Sequence, residues 1–299
     1  MRLRCGRVGI AGWDLDRQPA AAARDAAAEL EGLGYGALWP TELKWREAFS
    51  NAAILLSATT SMVVATGVAS MYARSAHTTQ AGWKTLSEAF PGRYVLGVGV
   101  GHAAFVEAYH QVPWQPQSFA SLVRYLDQID AGRFAGAAPG EEPVRVIAAL
   151  GPRMLRLARD RSAGALTNCT TVEHTAQARS ILGPEAFLGV SLIAGISADP
   201  ARGRALGRQY VGDLSLPHYR DNLTRLGWKE ADLAPVSDRL VDALVAHGSP
   251  EQIVDRVREH LAAGADHVCV SLQTEEPTEL PMTEWKQIAA AAEDLMVSR

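Results

Sequence analysis

Short apolar runs rich in β-branched and small residues recur along the chain, and each is followed by a longer stretch in which apolar residues return every three or four positions. The first pattern fits a buried strand and the second an amphipathic helix, so their alternation predicts parallel βα units. Val8-Gly9-Ile10-Ala11 reads as the first strand. Pro19 then opens a helix whose Ala20, Ala23, Ala27 and Leu30 share one face before Gly32 and Gly34 stop it. Ala37-Leu38-Trp39 is a second strand, followed by a helix over 51–57, a strand over 62–68, a helix over 77–90 closed by Pro91-Gly92, and a strand over 94–98.

The same alternation continues with a helix over 118–131, a Gly/Ala/Pro-rich loop over 132–143, a strand over 144–148 and a helix that starts at Pro152. A strand over 164–167, a helix over 171–181 and a strand over 187–194 follow. Asp199-Pro200 and Ser249-Pro250-Glu251-Gln252 each place a capping side chain before a first-turn proline, and 267–272 is the last strand. Eight strands without a composition break or long linker predict an α/β fold, a single (β/α)8 TIM barrel in one domain over 1–299. The stretch 210–246 is helical in pattern and too long for an ordinary connection. It reads as a helical insertion before the last βα unit, either capping one end of the barrel or packing there without a function.

Composition narrows the partners. With 47% hydrophobic and 21% charged residues over 299 positions, the chain has the balance of a folded protein. A formal charge of -4 leaves no basic surplus for a nucleic-acid backbone or an anionic membrane surface. No run reaches the roughly 20 apolar residues that span a bilayer. The basic N-terminus meets Trp13-Asp14-Leu15-Asp16-Arg17 before any signal-peptide-like run develops. Cys5, Cys169 and Cys269 are scattered and odd in number, which argues against a disulfide framework or structural zinc and for a cytoplasmic location. The histidines show no metal-ligand spacing, so no metal is expected. G-x-S-x-G, H-E-x-x-H and Walker motifs are absent, and none of Lys44, Lys84, Lys229 and Lys286 ends a predicted strand, as a Schiff-base lysine would.

In a barrel, ligands meet the C-terminal ends of the strands, and three segments there can carry chemistry. Gly97-Val98-Gly99-Val100-Gly101-His102 lacks the second half of a dinucleotide fingerprint. Its bare positions let a flat ring or a phosphate tail approach the backbone, with His102 on the rim; a tight turn with a surface histidine is the alternative. Ala148-Ala149-Leu150-Gly151-Pro152-Arg153-Met154 sets free N–H groups and a helix start where an anion can bind, and Arg153 adds charge. Trp39-Pro40-Thr41-Glu42 puts a carboxylate beside an apolar ring. That placement suits a general acid or base, or equally a capping or salt-bridged glutamate. Trp13, Trp39, Met71, Tyr72 and Trp114 are candidates to line a substrate pocket, with core packing as the alternative.

Taken in order, the Leu96-to-His102 cluster, the Ala-Leu-Gly-Pro-Arg-Met run at 149–154, Leu38-Trp39-Pro40-Thr41-Glu42, and Ala65-Thr66-Gly67-Val68-Ala69 with Arg74 and Phe90-Pro91-Gly92-Arg93 resemble the luciferase-like monooxygenase superfamily. Within it, the resemblance is to the branch of oxidoreductases that use coenzyme F420, a deazaflavin. It implies a ring cofactor at the C-terminal face and hydride transfer at its C5. It also implies a non-prolyl cis peptide at Gly67-Val68, with Thr66, Gly67, Val68, Val100 and Gly101 around the ring, and Gly151, Pro152, Arg153 and Met154 at the phosphate. Glu42 is the first choice for the coupled proton and His102 the second, with Trp13 and Trp39 toward the substrate. Sugar-phosphate dehydrogenases of the family carry an Asp-His pair where this chain has Thr41-Glu42, and an acid where it has His102, which argues against that substrate. The expectation is an F420-dependent oxidoreductase acting on a small organic molecule, and a homodimer. An FMN-dependent monooxygenase and a non-catalytic flavin- or deazaflavin-binding protein are the alternatives.

Overall fold

The computed structural model describes residues 3–211, 216–276 and 278–297. Strands and helices alternate from the start: β1 (Val8–Gly12), α1 (Ala20–Gly32), β2 (Ala37–Pro40), α2 (Ala48–Leu56), β3 (Val63–Ala65), β4 (Ala69–Ser70), α3 (Ala76–Ala89) and β5 (Tyr94–Gly99). Then come the short α4 (Ala103–Phe105), α5 (Ser118–Ala131), β6 (Val144–Ala148), α6 (Pro152–Arg161), β7 (Gly164–Asn168), α7 (Val172–Leu182) and β8 (Phe187–Ile196). Helices α8 (Pro200–Val211), α9 (Pro217–Arg225), α10 (Glu230–Leu233) and α11 (Asp238–Leu244) precede β9 (Val245–Gly248), α12 (Pro250–Ala262), β10 (His267–Leu272) and α13 (Met282–Ala291).

Every strand pairing is parallel, and the sheet closes because β10 pairs on one side with β1, Val8 opposite Val268, and on the other with β8, Val190 opposite Val268. Eight strands make a closed barrel with helices outside, the (β/α)8 TIM barrel that the sequence predicts. Two strands were not legible. The stretch 62–68 is not one strand: β3 and β4 both pair with β5, but four steps from Ala65 to Ala69 face three from Val95 to Val98, a bulge of one residue. The Gly67–Val68 peptide inside it is cis, as the family resemblance implies. β9 pairs with the upper end of β8, from Ile193 opposite Val245 to Ile196 opposite Gly248. Ten residues let β8 pair with β10 along one edge and with β7 and then β9 along the other.

Strands covered on both faces need apolar residues at successive positions, which is why β2 and β5 are buried throughout. One set of side chains faces the helices, and another, including Ala11, Trp39, Val63, Val95, Leu166 and Phe187, fills the barrel. The insertion has its own core of Leu223, Leu233, Leu240, Val241 and Leu244, which packs on Ile193 and Cys169 of the barrel.

Inside the barrel, Trp39 is 1% exposed and stacks on Phe187. Its Nε1–H donates to Nε2 of His267 at 3.0 Å, while His267 Nδ1 donates to the Gly6 carbonyl at 2.9 Å. Phe187 and His267 begin β8 and β10, so Trp39 points away from the C-terminal mouth. This corrects its assignment as a substrate contact: a buried indole N–H needs an acceptor, and the one available lies within the core.

Burial pushes the pKa of His267 down to about 4. The unfolded chain binds this proton more readily than the folded one, so the contribution is intact above the ordinary histidine range and is lost as pH falls through about 6.5 toward about 4. Urea unfolding of His267→Leu is therefore expected to show a flatter acid limb than wild type. At pH 7 it should lose about 1–3 kcal/mol, because the Trp39 N–H is left without an acceptor. An unchanged acid limb would contradict this account.

Candidate functional site at the barrel mouth

The mouth rests on backbone. Thr66 is wholly buried, and its hydroxyl donates to the Gly97 carbonyl at 2.7 Å and accepts from the Gly97 N–H at 2.9 Å. A Cβ at Gly97 would overlap the Thr66 carbonyl oxygen, and one at Gly99 would stand 2.7 Å from the Val68 side chain. Glycine at both positions lets β5 lie flat beneath the bulge. The Thr66 side chain thus fixes this platform and offers nothing to a ligand, a correction to its expected contact role. Val68 covers Gly99, Val100 is half-buried, and Gly101 turns with φ +63° to present His102.

Glu42, just beyond β2, is 9% exposed. Its Oε1 accepts from Ala48 N–H at 3.2 Å and from Arg74 Nη2, and its Oε2 accepts from Ser70 N–H at 2.9 Å and Arg74 Nη1 at 3.0 Å. Arg74 also holds Glu47, the N-cap of α2, at 2.9 Å. With both oxygens doubly occupied, Glu42 ties the β2–α2 turn to the bulge; this is the salt-bridged alternative raised by the sequence.

His102 is half-buried, with its ring centre 5.0 Å from Tyr219, 5.5 Å from His218 and 5.8 Å from Phe105. Burial, and then the neighbouring His218, push its pKa down to about 4; burial also lowers that of His218. Both rings are neutral near pH 7. Trp13, after β1, stacks on Tyr210 at 5.8 Å, and Asn168, ending β7, donates to the Tyr219 hydroxyl at 2.8 Å. Among the described residues, Thr41 Oγ1, His102 Nδ1 and Asn168 Oδ1 are buried polar atoms at strand ends without a hydrogen-bond partner.

Beyond β6, Gly151 and Pro152 start α6 as expected. His174 Nε2 lies 2.9 Å from the Leu150 carbonyl and pins this loop. Arg153 turns aside over the Phe119 ring at 4.4 Å, and Met154 packs against the core. The cation above Gly151 is instead Arg225 of α9, whose Nη2 lies 3.2 Å from where a Gly151 Cβ would stand. Arg225, His218, Tyr219, Tyr210 and Asn168 escaped the sequence analysis, because four of them lie in the insertion and only folding brings them to the rim. So did Asp14 and Asp16 after β1. Burial raises Asp14 to a pKa of about 6 and Asp16 to about 7, although Asn51 donates to Asp16 at 2.5 Å. Among the described residues, no cluster of three or more His, Cys, Asp or Glu is arranged to hold a metal ion, and no helix is long and apolar enough to cross a membrane.

The family profile described as luciferase-like monooxygenase matches residues 7–267. The chain belongs to this family. A curated relative, 5,10-methylenetetrahydromethanopterin reductase of Methanolobus tindarius, is 31% identical over 157 residues, 47% of this chain and 48% of that protein. The chain thus matches about half the length of this relative. Among solved structures, an F420-dependent secondary alcohol dehydrogenase in complex with an F420-acetone adduct aligns with a TM-score of 0.75 at 15% identity, over 97% of this chain and 98% of that one. The oxygenating constituent of 3,6-diketocamphane monooxygenase from Pseudomonas putida, a type II Baeyer-Villiger monooxygenase in complex with FMN, aligns with a TM-score of 0.68 at 15% identity, over 98% of both chains. This barrel fold is thus shared with one protein described in complex with an F420 adduct and another in complex with FMN.

Glu42→Gln is expected to cost on the order of 3 kcal/mol of unfolding free energy, since it strands the buried Arg74 guanidinium, while turnover per folded molecule survives. Denaturant titration alongside activity checks this. Full stability with abolished turnover would return Glu42 to the chemistry.

Proposed function

We propose that this protein is an oxidoreductase that moves a hydride between coenzyme F420 and a small organic substrate, with His102 handling the coupled proton. The observation that carries this reading is the set of unpartnered polar atoms, Thr41 Oγ1, His102 Nδ1 and Asn168 Oδ1, on the rim around a bulge whose half-buried Gly67–Val68 peptide lies over the buried Gly97 and Gly99. A planar ring with polar edges fits that arrangement, because it stacks on backbone and pairs with atoms that are otherwise costly to bury. The α6 N-terminus at Gly151, with Arg225 above it, suits the phosphate of the cofactor tail. The F420-dependent protein named above supports the deazaflavin, while its FMN-binding neighbour keeps flavin as the alternative.

When bound, the deazaflavin supplies the hydride chemistry at its C5. The chain's own part is to bind, orient and move a proton. Glu42 and Arg74 hold the bulge under the ring, Trp13 and Tyr210 wall the substrate side, and the neutral His102 imidazole accepts the proton of a substrate hydroxyl or returns it to a carbonyl oxygen.

Titration with F420, FMN and NADPH is expected to show saturable binding of F420. Tight FMN binding with none of F420 would overturn the cofactor assignment. Arg225→Ala is expected to weaken F420 binding about tenfold, as loss of a charge-assisted contact does. His102→Gln is expected to lower kcat about 100-fold with the F420 Kd unchanged, as measured by steady-state kinetics and titration.

A further inference from the structure

His102 does not stand alone. Its ring faces that of His218 on α9, with centres 5.5 Å apart and planes tilted by 38°. Tyr219 and Phe105 pack against other sides of His102, so bulky aromatic groups separate it from solvent there. His218 continues outward to Trp114 at 6.2 Å, and the titratable group acting on it is Asp221, three residues along the same helix. On β9, His247 is fixed by a carboxylate, Asp242; neither His102 nor His218 has such a tie among the described residues. An inner imidazole with an unpartnered nitrogen therefore faces an outer imidazole delivered by the insertion. Rings at this separation are close enough for one bridging water to carry a proton between them.

We propose that His218 is the outer member of a two-imidazole proton relay, passing to solvent the proton that His102 takes from the substrate. The relay rests on the proton role of His102 proposed above. In the oxidative direction, the substrate O–H bond breaks with its electron pair left on oxygen, and the proton forms an N–H bond on His102. His102 releases a proton from its other ring nitrogen to His218, and His218 releases one to water, so both rings end neutral. The hydride from the adjacent carbon goes to the cofactor and does not enter the relay. In the reductive direction the same proton path runs inward. His218 acts through His102, so it is a positioning and relay residue; it does not touch the reacting atoms.

Two readouts test this. The first is an NMR titration of the imidazole resonances in the cofactor-free protein. In His218→Gln, the His102 midpoint is expected to rise toward the ordinary histidine value, because a neighbouring cation no longer opposes its protonation. The second is turnover: His218→Ala and the shape-preserving His218→Phe are expected to lower kcat about tenfold with the F420 Kd unchanged, and added imidazole should restore the rate of His218→Ala, which leaves room for it. An unmoved His102 midpoint, wild-type kcat in His218→Phe, or a loss in His218→Ala that imidazole does not rescue would overturn the relay. A midpoint that moves in His218→Gln, together with a wild-type chain that neither binds nor turns over F420, would keep the coupled pair and overturn the cofactor reading instead.

Discussion

Eight parallel strands can bury both edges only if the last pairs with the first, and β10 meets that requirement by joining β8 and β1 at once. Closure fixes the rest. It sends every strand's C-terminal end to one rim and forces the connections outside as helices. It also leaves the upper part of β8 beyond its contact with β7, where β9 pairs and the insertion folds over the rim. Four positions far apart in sequence, Trp13, His102, Gly151 and Asn168, each come to lie against a side chain of that insertion.

The mouth is built on the bulge between β3 and β4 beside β5. Thr66 locks β5 to the bulge through Gly97, and Arg74 neutralises Glu42 beneath it, so the charges and hydroxyls closest to the platform are already committed. The groups left without partners stand at its edge. Although the chain is slightly acidic, the start of α6 sets backbone N–H groups beside a local cation, Arg225, an arrangement that suits an anion. Local geometry therefore outweighs net charge, as it does wherever a helix start and one guanidinium meet an anion at short range.

The barrel was legible because parallel strands covered on both faces leave short apolar runs, and because Ser249-Pro250 and Gly151-Pro152 mark helix starts through local chemistry. β3 and β4 merged into one expected strand, since a one-residue bulge does not interrupt an apolar run. β9 was hidden because Val245 to Gly248 continues the pattern of a helical stretch; its pairing with β8 decides its state. Side-chain direction was harder still. Trp39 looks like a mouth residue until His267, 228 positions away, takes its N–H. Glu42 looks free until Arg74 folds onto it, although the sequence left a salt bridge open. His102 was legible because it directly follows a glycine cluster, whereas His218 carries no local signal.

The platform, the α6 loop and the insertion meet at one rim, as a single ligand-binding surface requires. Hydrogen–deuterium exchange with and without F420 tests it most directly. Binding is expected to protect amides in four stretches together: the bulge over 66–70, the β5 exit over 99–102, the α6 start over 150–154, and α9 over 217–225. Protection confined to other parts of the barrel, or protection of the barrel stretches with α9 unchanged, would contradict the account.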